Sequence, residues 1–263
     1  MIPSPLEKYA AFFRIAKRQA RQMRGELYGR VLFFAVILGV FSSLWRAVAE
    51  AGMPLAADPR TLVWYIAATE WILLSAPPLH VDVQDAVRRG DVAYHLGRPV
   101  SYVAAVFAEG LGLLASRAPL LGVTAMACAF AFTGFVPPLA VLARVAPFGL
   151  AAAALITMMS LAIGLLAFWF DEVTPLFWLW QKLLFVLGGL MLPIQLYPKV
   201  IQRVAAFTPF PTVLGGPASF LLGSGGVTAV DLAWSLALWA VVIAVVTWCV
   251  FRCATAALAF NGG

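Results

Sequence analysis

The sequence predicts an all-helical integral membrane protein with six transmembrane helices, an N-terminal amphipathic interfacial helix, a cytoplasmic coupling helix and an extracellular re-entrant helical hairpin before the last span. Two observations carry the class. Hydrophobic residues make up 63% of the 263-residue chain, charged residues 11%, and the mean hydropathy is +0.93, which is outside the range of soluble globular surfaces. Apolar runs of roughly 20 residues, the length needed to cross a bilayer as a helix, fall at 31–49, 61–79, 119–136, 146–170, 175–193 and 232–251. Short alternating segments of the kind that build membrane barrels do not occur. The whole chain, 1–263, is one transmembrane domain, with no polar stretch large enough for a separate soluble one.

The first element is the stretch 5–28. Ser4-Pro5-Leu6-Glu7 is a helix start, with Ser as cap, Pro at the first helical position and Glu reaching back. Leu6, Tyr9, Phe13, Ala16, Ala20, Met23 and Leu27 then recur at helical spacing, while Arg14, Arg18 and Arg21 take another face. This predicts a basic amphipathic helix on an anionic leaflet. A positively charged lead of thirty residues is too long for a cleaved signal peptide.

Orientation follows from the 18 Lys and Arg residues. An inside N-terminus puts twelve on the cytoplasmic side (Lys8, Arg14, Lys17, Arg18, Arg21, Arg24, Arg30, Arg88, Arg89, Arg98, Arg117, Arg252) and five outside (Arg46, Arg60, Arg144, Lys199, Arg203). Lys182 lies inside a span near its start and snorkels. Both termini are then cytoplasmic.

Between the second and third spans, the segment 80–100 carries HVDVQDAVRRGDVAYHLGRPV. Asp82 is expected to cap a short helix with Asp85 three residues on, Arg88 and Arg89 complement its C-terminal dipole, and Gly90 supplies a left-handed stop. The stretch 100–116 reads as an interfacial helix, because Glu109 divides it and Arg117-Ala118-Pro119 ends it.

In the stretch 194–223 prolines break the chain at membrane depth, where irregular backbone must be buried in protein or face water. Pro193 and Pro198 are expected to end the fifth span. Val200, Ile201, Val204 and Ala205 form one helical face, and Lys199, Gln202 and Arg203 another. Thr208-Pro209-Phe210-Pro211 bends the chain, and a second short helix runs from Pro217 to Gly223.

Glu70 is the other intramembrane signal, since a carboxylate there costs on the order of 3 kcal/mol and faces a cavity or a partner. Asp171 and Glu172 are solvated span ends. Cys128, Cys249 and Cys253 lack His or carboxylate neighbours, so no metal site is expected. No HExxH, GxSxG, CxxC or GxxxxGK[ST] pattern occurs, and no catalytic residue is assigned.

In this order, these motifs resemble the permease subunits of type-two ABC exporters, and more narrowly the bacterial viologen-exporter-like ABC permeases. The likeness rests on Asp85, Gly90, Leu96, Arg98 and Pro99, on LLAFWFDE at 165–172, and on Pro193, Tyr197, Pro198, Pro209, Phe210, Pro217 and Gly223. It departs from that pattern at Gly188-Gly189-Leu190 and at Gln195. The resemblance implies a multi-pass efflux permease of the bacterial inner membrane, exporting an amphipathic or hydrophobic substrate by alternating access. It implies two ATP-binding-cassette ATPase subunits that carry ATP and Mg, and a second permease chain, identical or paralogous. The chain itself would hold no cofactor, would be solvated by membrane lipid, and would have no nucleic-acid partner. The alternatives are a proton-coupled secondary transporter using Glu70 and a non-transporting membrane scaffold.

Overall fold

The computed structural model describes residues 4–20, 24–52, 57–97, 100–223 and 228–261. Among these there are helices and turns and no strand. The helices are α1 (Pro5–Gln19), α2 (Arg24–Glu50), α3 (Pro59–Ser75), α4 (Leu79–Arg88), α5 (Asp91–Leu96), α6 (Tyr102–Thr133), α7 (Leu139–Gly164), α8 (Thr174–Leu187), α9 (Lys199–Ala206), α10 (Phe210–Val213), α11 (Gly215–Leu222) and α12 (Ala229–Asn261). Arg98 and Pro99 lie outside the described residues.

α1 starts as its sequence dictates. The Ser4 hydroxyl accepts from the Glu7 amide and the Glu7 carboxylate accepts from the Ser4 amide, which closes a capping box. It ends at Gln19 rather than 28, and residues 24–28 already belong to α2. Leu6 is largely exposed, and the seated face runs through Tyr9, Phe13, Ala16 and Ala20 against α6. Gly112 makes this seat possible, because a Cβ there would run into the Phe13 carbonyl. The Ser116 hydroxyl donates to the Lys17 carbonyl.

α3 is the centre of the bundle, with Leu62 through Glu70 buried without interruption. It starts on Asp58, whose carboxylate accepts from the Arg60 amide, followed by Pro59. It stops at Ser75 because Ala76, preceding Pro77-Pro78, is driven into extended backbone (ψ 124°). Phe34 and Leu38 of α2, Ala125 and Ala129 of α6 and Ala218 of α11 pack with one part of α3. Ala152–Met159 of α7, Leu184 and Leu236 pack with the other.

Two expectations are corrected here. The stretch 100–116 is not a separate interfacial helix: α6 runs unbroken from Tyr102 to Thr133 with Pro119 inside it. α1 packed on Gly112 and the Trp71 ring N–H donating to the Ala118 carbonyl support it through the proline, as neighbouring helices do in membranes. The fifth span does not reach Pro193. α8 is 14 residues long, about 21 Å at 1.5 Å per residue, and ends at a left-handed Gly189 (φ +69°) with the Leu190 amide returning to the Phe185 carbonyl, a Schellman closure. Five helical segments, built on α2, α3, α6, α7 and α12, are long and apolar enough to cross a membrane among the described residues, and α8 is a shorter apolar helix.

Candidate coupling and transport site

α4 follows α3 after the Pro77-Pro78 break, continues along α7 in the same direction, and is fastened to α7 and α8. The His80 amide donates to the Ser160 hydroxyl of α7 at 3.2 Å, and the His80 ring stacks on Phe177 of α8 at 3.6 Å and 12°. The buried Gln84 side-chain oxygen accepts from the Val173 amide at 2.7 Å, just before α8. Gly164 permits the contact with α7, since a Cβ there would lie 2.8 Å from Val83 Cβ and 2.9 Å from His80 Cα. A buried amide left without its acceptor would cost about 1–3 kcal/mol, so these bonds fix the position of α4.

Asp82 does not cap this helix. α4 begins three residues earlier at Leu79, after Pro78, and Asp82 sits exposed in the first turn, because the double proline already sets the helix start. Gly90 takes the left-handed conformation (φ +74°) and leads directly into α5. Arg88 and Arg89 are engaged by their own chain: Arg88 donates to the Asp171 carbonyl, and Arg89 pairs with Asp91 at 2.9 Å. That hydrogen bond with Asp91 raises the Arg89 pKa further. Both arginines stay exposed, together with Val81, Asp82 and Tyr94, and Asp85 is half-buried beside them. Tyr94 is 77% exposed. From α5, His95 meets Tyr102 edge-on at 5.4 Å, and Tyr102 stacks on Phe251 of α12.

The other end of the site is bolted to α3. The Tyr65 hydroxyl donates to the Gly189 carbonyl at 2.6 Å, and the Thr69 hydroxyl to the Leu190 carbonyl at 2.8 Å. These residues stand in the middle of α3, so α8 ends and the hairpin begins at mid-helix depth. The hairpin's base is buried: Pro193, Phe210 and Pro217 face inward, and Phe210 meets Trp180 of α8 edge-on. α9 is held more lightly, by the Gln202 amide donating to the Gln195 and Tyr197 carbonyls. Burial pushes the Tyr197 phenol up from its ordinary pKa. Pro198 precedes α9, Pro209 precedes α10, and Gly223 ends α11 with φ +63°. α9 has the expected two faces: on its apolar one Ala205 is buried while Val200 and Val204 are exposed, as is Phe207 just after the helix.

Glu70 is buried in α3 at 2% exposure. It does not line the large apolar cavity of about 860 Å³, whose α3 wall is Trp64, Ala67, Ala68 and Trp71. That cavity lies between α3, α6 and α7, with Phe13 of α1 at its edge.

A bent α4–α5 element hung between long apolar helices, and a helical hairpin interrupting the apolar pattern, is the setting in which the family comparison falls. Residues 71–262 match the model of the ABC-2 family transporter protein family. The chain belongs to that family. No curated protein and no solved structure matches it.

An ABC-2 permease is a non-catalytic, multi-pass membrane component of an ABC transporter that works with an ATP-binding component. In this ABC-2 permease Lys182 lies over the Phe185 ring at 5.5 Å. Asp171 and Glu172 are exposed where the chain turns between α7 and α8. The three cysteines are free, and no metal-holding cluster is found among the described residues. Sequence reasoning missed Tyr65, Thr69, His80, Gln84 and Tyr94. A polar residue every four positions in Tyr65–Thr69 and His80–Gln84 was the available signal, since such pairs share a helix face.

Proposed function

We propose that this ABC-2 permease is the membrane half of an ATP-driven exporter of the bacterial cytoplasmic membrane, akin to the viologen-exporter-like subgroup. Both termini are cytoplasmic, and α8 together with the hairpin completes a sixth crossing. Two ATP-binding-cassette ATPases bind ATP and Mg and press on α4–α5, and a second permease chain, identical or paralogous, completes the path. Closure of the ATPases rocks one permease against the other, so that an amphipathic or hydrophobic substrate meets first an inward and then an outward opening.

The observation that carries this reading is the fastening of α4. An exposed tip at Asp82 and Tyr94 is joined through His80 and Gln84 to α7 and α8, and through Pro77-Pro78 to α3. Force applied at the tip reaches three apolar helices without an intervening loop. Asp82, Asp85, Arg88, Arg89, Gly90, Arg98 and Pro99 form or support the coupling segment, with Tyr94 as its exposed anchor.

Co-purification with the cognate ATPase tests it. Tyr94→Ala combined with Asp82→Lys is expected to weaken the complex by at least roughly 2 kcal/mol, as loss of a central aromatic anchor does. The chain alone neither binds nor hydrolyses ATP, and the complex does both. Unchanged co-purification by the double variant, or ATP turnover by the pure chain, contradicts the proposal.

A further inference from the structure

Force that enters at α4 needs a route to the hairpin, and two helices run between them. α3 leads into α4 and holds the Gly189 and Leu190 carbonyls. It is buried without interruption from Leu62 to Glu70, and a close-packed core helix cannot shift without displacing its neighbours. α8 has the opposite character. Among the described residues of α8 Leu184 alone is buried, and Trp178, Leu179, Leu183 and Val186 are exposed, so little along its length resists a tilt.

One face of α8 joins α4 to the hairpin. Phe177, Trp180, Leu184 and Gly188 recur at the spacing of a single helical stripe. At the N-terminal end the Phe177 ring lies flat on His80 of α4, with centroids 3.6 Å apart. Phe177 meets Trp180 at 5.3 Å, and Trp180 meets Phe210 of α10 edge-on at 6.5 Å, both within the range of direct ring contact. The rings therefore form a contiguous path from α4 to the hairpin. At the other end of α8 a Cβ on Gly188 would lie 3.0 Å from Leu214 Cδ1 and 3.1 Å from the Phe210 carbonyl oxygen, so α8 bears on the backbone of α10. Phe210 follows α9 after Phe207, Thr208 and Pro209. The Phe207 and Thr208 amides return to the Val204 and Ala205 carbonyls, so a displaced Phe210 takes α9 with it.

We propose that α8 passes the movement of α4 to the hairpin, with Phe177 and Trp180 as positioning residues that set Phe210 and, through it, the angle of α9. This rests on coupling to an ATPase and adds a division of labour: α3 anchors one end of the flap at Gly189 and Leu190, and α8 drives the other. The rings act by contact, so the route requires their shape.

The test uses the full chain in complex with its cognate ATPase, with Cys128, Cys249 and Cys253 replaced and Arg203→Cys on α9 as the reporter. With all the rings present, trapping the ATPase with nucleotide changes maleimide labelling at 203 severalfold. Phe177→Leu and Trp180→Leu are each expected to remove that change, while the complex still assembles and hydrolyses ATP. Phe177→Tyr, which keeps a flat ring, retains the response, and Trp178→Leu, on the exposed face of the same helix, leaves it intact. Should either leucine variant not assemble, methionine at the same position fills the space without a flat ring and is read in its place. A response that survives both leucine variants, or that Trp178→Leu abolishes equally, overturns this route. Survival in both together with loss in Tyr65→Phe, which lacks the bond to Gly189, assigns the route to α3 instead. No response at 203 with the rings intact contradicts the coupling itself, and this inference with it.

Discussion

The two bent elements of this permease, α4–α5 at one end and α9–α11 at the other, are fastened in different ways. α4 is held by long-range bonds to α7 and to the turn that leads into α8: His80 to Ser160, Gln84 to the Val173 amide, and Arg88 to the Asp171 carbonyl. The hairpin has a rigid base, with α3 holding the Gly189 and Leu190 carbonyls, but α9 hangs from it by local bonds of Gln202 and leaves Val200, Val204 and Phe207 exposed. The difference teaches where stiffness is placed. The end expected to receive force is a lever without slack, and the end expected to open is a flap on a fixed hinge, its outer helix held by few bonds.

Gly164→Leu breaks the lever and is expected to have the largest effect. Its side chain collides with Val83 and His80, at an overpacking cost of roughly 1–3 kcal/mol, and ATP-driven transport by the complex should fall at least tenfold. Normal transport would mean that α4 is not seated on α7 during the cycle. Gly189→Ala attacks the hinge: its positive φ is strained for alanine, and the new Cβ lies 2.9 Å from the Leu192 carbonyl oxygen. Thermal unfolding in detergent should show a loss of roughly 1–3 kcal/mol.

A matched pair sharpens the contrast. Gln84→Ala leaves the buried Val173 amide without its acceptor, costing about 1–3 kcal/mol. Gln202→Ala removes bonds that are partly exposed, and should cost less than about 1 kcal/mol. Equal destabilisation would erase the distinction between lever and flap. The smallest effect is expected from Glu70→Gln, which keeps size and polarity at a position that does not line the apolar cavity. ATP-driven transport should stay within about twofold, and its loss would favour a proton-carrying role for Glu70.

The helical membrane class, the Ser4–Glu7 cap, the Gly90 and Gly223 stops and the short helices around Pro198 and Pro217 were legible in the sequence, because each rests on local backbone chemistry. What was not legible depends on neighbours. Pro119 reads as a helix end until Trp71 and α1 are placed beside α6. Pro193 reads as the end of the fifth span until Gly189 is seen turning four residues earlier under Tyr65. Arg88 and Arg89 read as complements of the helix dipole, and their partners, the Asp171 carbonyl and Asp91, emerge only from the fold. Tyr94 was hidden in a six-residue helix too short to show a period.

The central claim is that nucleotide at the ATPase, as it rocks one permease against the other, also moves the flap relative to the rest of that face. In a chain with Cys128, Cys249 and Cys253 replaced, Arg203→Cys on α9 and Arg144→Cys on α7 are each labelled from outside whole cells with an impermeant maleimide. Both positions are exposed. Trapping the cognate ATPase with nucleotide is expected to change the labelling rate at 203 severalfold and leave that at 144 unaltered. Unchanged labelling at 203, an equal change at both positions, or labelling at 203 only from the cytoplasmic side would contradict the account.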